Sequence, residues 1–143
     1  MLTAEVASRL PAARITAVEI VPEAVADAEK LMNRLGLSDR VREVCADAAE
    51  FMRNGFSESA EGTRRVVLLD PPRKGCAPEV VAAVNASDCE KVVYISCNPA
   101  TLSRDIALFA EGGFTLSHIQ PFDMFPETMC LETLVSLERG LTE

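Results

Sequence analysis

A chain of 143 residues, 48% apolar and 25% charged, has the length of one domain and buries about two-thirds of its unfolded surface. No apolar run approaches the roughly 20 residues of a membrane span, and the first residues carry neither the basic segment nor the apolar stretch of a signal peptide, so a cytoplasmic protein without membrane contact is expected. The net charge of −8 is the wrong sign for holding a phosphate backbone by charge alone, and five cysteines without a Cys-x-x-Cys pair, beside a single histidine, His118, argue against both a disulfide framework and a zinc site.

The elements alternate. Met1 to Leu10 has Leu2, Val6 and Leu10 on one helical face and stops at Pro11. Arg14 to Ile20 is a β-rich run that carries Glu19 at its end. Pro22 to Leu35 reads as a helix with proline in its first turn and Gly36 as its stop. Arg40 to Ala46 is a short strand ending at Asp47, Ala48 to Met52 a short helix, and Asn54 to Arg65 a surface loop. Val66 to Leu69 is a continuous apolar run, the pattern of a strand covered on both faces, and it ends at Asp70-Pro71-Pro72-Arg73-Lys74-Gly75. A helix over Pro78–Ala86, a strand over Lys91–Ser96 and a helix over Pro99–Ala110 follow, and Gly112-Gly113 stops the last. Phe114 to Gln120 and Glu132 to Leu137 close the chain as two strands with no helix between them. The pattern predicts an α/β sheet with helices on both faces and an antiparallel edge.

In such a sheet ligands bind beyond the C-terminal ends of the strands, where Glu19, Asp47 and Asp70 lie. Glu19 closes a strand at the place where a carboxylate commonly accepts bonds from ribose hydroxyls, and Asp47 falls where an adenine edge would lie; either is otherwise a solvated acid at a helix start. The strand before Ser96-Cys97-Asn98-Pro99 turns directly into a helix, with Asn98 as N-cap and Pro99 in the first turn. Cys97 thus sits where a helix N-terminus favours negative charge. It has a physical reason to be a nucleophile, and the alternative is a small buried hydrophobe in a tight turn.

Three stretches, Asp70-Pro71-Pro72-Arg73-Lys74-Gly75, Ser96 to Asp105, and Phe122 to Thr128 followed by Glu132, together resemble the RNA uracil-5-methyltransferase family. That resemblance implies a Rossmann-like methyltransferase fold, mostly parallel with an antiparallel C-terminal edge. It also implies methylation of a uridine in ribosomal or transfer RNA with S-adenosyl-L-methionine as cofactor. Cys97 matches the nucleophile, Glu132 the catalytic base, Glu19 the acid that holds the cofactor ribose, and Asp70 an acid of the cofactor and uracil pocket. The family places His two residues before the final Glu, where this chain has Cys130.

Arg73 and Asn98, by position, are candidate donors to the uracil carbonyl where enolate charge develops. Phe122 and Phe125 either stack on the target base or belong to the core. Arg73, Lys74 and Arg104 form a thin basic patch, too little for tight RNA binding by itself. The first glycine is Gly36, so the chain is expected to be a single partial catalytic domain lacking the first strand and its glycine loop, inactive alone, with exposed strand edges that invite sheet adjustment or pairing between copies. Two other readings stay open: a nucleic-acid amino-methyltransferase, which would use the Asp-Pro-Pro loop with Arg73 in place of its aromatic residue, and a non-catalytic interaction domain.

Overall fold

The computed structural model describes residues 2–55, 62–124, 126–128 and 131–140. Contacts divide the chain into two compact units, Met1–Gly55 and Phe56–Glu143.

The first unit runs α1 (Leu2–Arg9), β1 (Ile15–Glu19), α2 (Pro22–Leu35), β2 (Val41–Cys45), α3 (Ala48–Gly55). Strands β1 and β2 pair in parallel from Ile15 opposite Val41 to Glu19 opposite Cys45. Ala4, Ala7, Met32, Leu37 and Val41 form the core, with Ile15 and Leu31 packed against it. Helix α2 ends as its sequence predicts. Gly36 takes the left-handed conformation at φ 68° and bonds back to Asn33, while the Leu37 N–H returns to the Met32 carbonyl at 2.9 Å, the paired closure of a Schellman stop. The Arg40 guanidinium ties the end of α1 to this unit by donating to the carbonyls of Ala7, Leu10 and Ala13. Helix α3 runs three residues past the predicted Met52, through Arg53, whose Nε donates to the Ala49 carbonyl one turn back.

The second unit contains β3 (Val66–Leu69), α4 (Pro78–Asn85), β4 (Lys91–Ser96), α5 (Pro99–Glu111), β5 (Phe114–Phe122) and β6 (Glu132–Arg139). Its four strands are ordered β3-β4-β6-β5; β3 and β4 are parallel, and β6 is antiparallel to both of its neighbours. The expected antiparallel edge is therefore present, made by the two closing strands. The expected single sheet is divided. Its parallel strands fall into two sheets, β1-β2 in the first unit and β3-β4 within the second.

Val92 and Tyr94 of β4 and Val135 and Leu137 of β6 are fully buried on one face, against which α4 and α5 lie. Phe109 of α5 meets Phe114 edge to face at 5.9 Å. Arg139 stacks over Phe114 and caps the end of α4, donating to the carbonyls of Val84, Asn85 and Ser87. The run Val66–Leu69 is not covered on both faces as its apolar pattern predicts. Val66 is 52% and Leu68 40% exposed, because β3 is an edge strand of this sheet and both residues share the face of Lys91 and Val93, opposite the helices.

Candidate active site

The register of the second unit decides which residues meet. Ser96, the last residue of β4 and the neighbour of Cys97, pairs with Thr133 of β6, the neighbour of Glu132, so the register puts the Cys97 turn and the start of β6 at the same end of adjacent strands. Paired positions on adjacent antiparallel strands lie about 5 Å apart at Cα. Phe122, the last residue of β5, pairs with Glu132 from the other side. Leu69 of β3 pairs with Tyr94, which carries Asp70 to the same end of the sheet. The nucleophile and base expected from the resemblance thus occupy adjacent strand ends, although they lie 35 positions apart in sequence, at 97 and 132.

Cys97 is half-buried in a turn held by its neighbours. The Ser96 hydroxyl donates to the Asn98 carbonyl and accepts from the Asn98 N–H, both at 3.1 Å. The Asn98 side chain caps α5 by accepting from the Ala100 N–H at 3.1 Å, as the Asn-Pro sequence predicts. Its amide nitrogen donates to the Arg73 carbonyl at 3.1 Å, which leaves one amide hydrogen for a ligand. Of the other described thiols, Cys76 is buried, and burial pushes it up to about 11; Cys89 is buried and also raised, chiefly by desolvation. Cys45 is exposed, its Sγ near the Ile20 carbonyl.

The loop over residues 70–76 lies against the first turns of α5. The Arg73 carbonyl accepts from Asn98 and from the Thr101 hydroxyl at 3.2 Å, and Nη2 of Arg104 donates to the carbonyls of Lys74 and Cys76. The Gly75 N–H returns to the Pro72 carbonyl at 2.8 Å. Gly75 sits at φ +81°, and a Cβ there would come within 2.6 Å of Arg104 Nη2 and Asp105 Oδ2, so this turn needs glycine on both counts. The guanidinium of Arg104, although half exposed, is therefore spent on the loop and on Asp105; Arg73 and Lys74 are the other exposed cations of the basic patch. Asp70 is exposed at the end of β3.

The two candidate acids of the first unit, Glu19 and Asp47, are locally engaged. Glu19 is exposed at the end of β1 and accepts the Val21 N–H at 2.9 Å through one oxygen. Asp47 caps α3, accepting the Glu50 N–H at 3.0 Å, which is the helix-start role weighed against its adenine role. Each carboxylate keeps a second oxygen as an acceptor. Phe122 is 45% exposed, so it does not belong to the core. Phe125 and Cys130 lie outside the described residues.

The residues missed in the sequence are Tyr94 and Asp105. Asp105 stands on the stripe of α5 with Leu102 and Phe109, and an acid among a helix's buried positions is the signal that marks it. It is fully buried, and its Oδ2 accepts from the Tyr94 hydroxyl at 2.6 Å and the Cys76 N–H at 2.8 Å.

An uncharacterized RNA methyltransferase of Halalkalibacterium halodurans is 39% identical over 128 residues, covering 89% of this chain and 27% of that protein. Another, from Thermotoga maritima, is 36% identical over 138 residues, covering 96% of this chain and 30% of that protein. The chain thus spans less than a third of the length of these relatives. Among solved structures, the Pyrococcus abyssi tRNA (uracil-54, C5)-methyltransferase in complex with S-adenosyl-L-homocysteine aligns with a TM-score of 0.70 at 24% identity, over 87% of this chain and 28% of that one. M. capricolum TrmK, in complex with S-adenosyl-homocysteine, aligns with a TM-score of 0.68 at 12% identity, over 97% of this chain and 57% of that one. Both likenesses show a methyltransferase-like α/β fold. The family model for tRNA (uracil-5-)-methyltransferase matches residues 14–140, and the chain belongs to that family.

Proposed function

We propose that this chain is part of the catalytic domain of a longer, cytoplasmic RNA methyltransferase that uses S-adenosyl-L-methionine to methylate carbon 5 of a uridine in ribosomal or transfer RNA. The observation that carries the reading is the register that pairs Ser96, next to Cys97, with Thr133, next to Glu132, at the ends of β4 and β6. Carbon 5 of uracil is a weak nucleophile until a thiolate adds at carbon 6. In that step Cys97 forms the sulfur–carbon bond, and the ring's double-bond electrons move to the carbonyl oxygen. Arg73, and the remaining amide hydrogen of Asn98, stabilise the charge that collects there. Glu132 then removes the proton left on carbon 5; the double bond re-forms and the Cys97 thiolate departs.

The residues present fit the cofactor. In the first unit Glu19 keeps a free carboxylate oxygen at a strand end, suited to a ribose hydroxyl, and Asp47 keeps a second acceptor; in the second unit Asp70 is an exposed acceptor at a strand end. When bound, S-adenosyl-L-methionine supplies the methyl group. Exposed Phe122, opposite Glu132, gives a base drawn out of its stack an aromatic surface. With a net charge of −8, this chain's own grip on RNA is weak, and affinity comes from the rest of the protein.

The test is incubation of the full-length protein with 5-fluorouridine RNA and cofactor, in which a denaturation-resistant protein–RNA adduct is expected and is lost in Cys97→Ala. Methylation of an exocyclic nitrogen without any such adduct would move the assignment to an amino-methyltransferase acting through Asp70-Pro71-Pro72. A full-length protein that binds no cofactor would make this an interaction domain.

A further inference from the structure

We infer that Asp105, with Tyr94, is a positioning residue that fixes the Asp70–Cys76 loop and thereby aims Arg73 at the reacting base beside Cys97. The inference rests on the methyltransferase reading above. Asp105 is 0% exposed, in the middle of the stripe that α5 turns toward the sheet. Its Oδ1 accepts from Nε and Nη2 of Arg104 at 2.8 and 2.6 Å, and its Oδ2 accepts from the Cys76 N–H and the Tyr94 hydroxyl. Desolvating a carboxylate is costly, and replacing a whole buried ion pair by well-packed apolar residues is often neutral or stabilising, so the pair is weak evidence of a role in stability. A charge kept at this position is better explained by the geometry it imposes.

That geometry is specific. Tyr94 belongs to β4, Arg104 and Asp105 to α5, and Cys76 to the loop, so the single carboxylate joins strand, helix and loop. Arg104, held in place by Asp105, takes the carbonyls of Lys74 and Cys76. Asn98, the N-cap of α5, and Thr101 in its first turn take the carbonyl of Arg73. Backbone groups of residues 73, 74 and 76 are thus all bonded to α5 or its N-cap Asn98, which directly follows Cys97. The Arg73 side chain springs from a backbone tied to the same helix that carries the nucleophile's turn. None of these bonds needs Asp105 to touch substrate, so its action is through Arg73.

The experiment measures single-turnover adduct formation between the full-length protein and 5-fluorouridine RNA at saturating RNA and cofactor. Asp105→Asn preserves shape and an acceptor for Cys76 but withdraws the charge from Arg104, and Tyr94→Phe removes one bond. The rate constant per folded molecule is expected to fall about tenfold to a hundredfold in Asp105→Asn and less in Tyr94→Phe, the range that small misplacements of a catalytic group produce. Combined with Arg73→Ala, either variant should be no more than about twofold slower than Arg73→Ala alone, since the group being aimed is gone. A lowered thermal midpoint with an unchanged rate constant, or effects that multiply in the double variant, would overturn the proposal as a merely structural role. If Asp105→Asn does not accumulate folded, Tyr94→Phe with Arg73→Ala reads the same coupling. Wild-type protein that forms no adduct overturns the methyltransferase reading, and the positioning role with it.

Discussion

Replacing Asn98 separates two functions of one side chain. Asn98→Ala removes the cap on α5 and the bond to the Arg73 carbonyl, whereas Asn98→Asp keeps an acceptor for the Ala100 N–H and loses only the donor to the loop. The cap is worth about 1 kcal/mol and the half-exposed loop bond about 0.5–1 kcal/mol, so Asn98→Ala should cost about 1.5–2 kcal/mol. With a urea slope of about 1.5 kcal/mol per molar, its midpoint falls by about 1 M. Asn98→Asp should lie between, since its carboxylate faces a carbonyl that has lost a donor. The assay is urea unfolding followed by tyrosine emission. The chain has one tyrosine and no tryptophan, and Tyr94 is buried against Asp105, so the signal reports the second unit alone. If both variants unfold at the wild-type midpoint, the cap and the loop clamp contribute nothing, and the reasoning about the Cys97 turn fails.

In full-length Glu132→Gln, Cys97 should still add to uridine and carbon 5 of the bound ring should still be methylated, but elimination should stall, so a covalent RNA adduct accumulates with ordinary uridine; rapid release of methylated RNA would exclude Glu132 as the base. Arg73→Ala should slow adduct formation about a hundredfold by removing one donor to the developing charge, and an unchanged single-turnover rate would remove Arg73 from the site. Burial holds the Cys76 thiol up to about 11, so at pH 8 only on the order of a thousandth of it is thiolate. Iodoacetamide should therefore label Cys45 and Cys97 well before Cys76 and Cys89, with Cys76 labelling rising until the pH passes about 11; equal rates measured by mass spectrometry would contradict the packing around Cys76. Phe122→Ala should leave the unfolding midpoint nearly unchanged, because the ring is 45% exposed, yet weaken binding of target RNA by about 1–3 kcal/mol in the full-length protein; a large loss of stability instead would make it a core residue.

Local chemistry made most of the elements legible in advance. Pro22 and Gly36 delimit α2, Asn98 and Pro99 start α5, and the apolar runs of β3 and β4 end where the pattern says, because proline, left-handed glycine and capping side chains act within a few residues of themselves. Cys97 was visible for the same reason: its setting at a strand-to-helix turn is written in its neighbours. The resemblance supplied Glu132, which no local signal marks.

Tertiary structure decided what depends on distant partners. An apolar run at Val66–Leu69 reads as doubly covered, but coverage is set by the strands and helices that lie alongside, and β3 has one strand beside it and helices on one face. Nothing in the sequence around Phe122 distinguishes a stacking surface from a core residue; only its place at the end of the outer strand, opposite Glu132, does. Asp105 illustrates the limit most sharply. Sequence alone puts an acid on a helix, and only the meeting of β4, α5 and the Asp70–Cys76 loop turns it into a buried joint, because hydrogen bonds between positions 76, 94 and 105 exist only once those elements have packed.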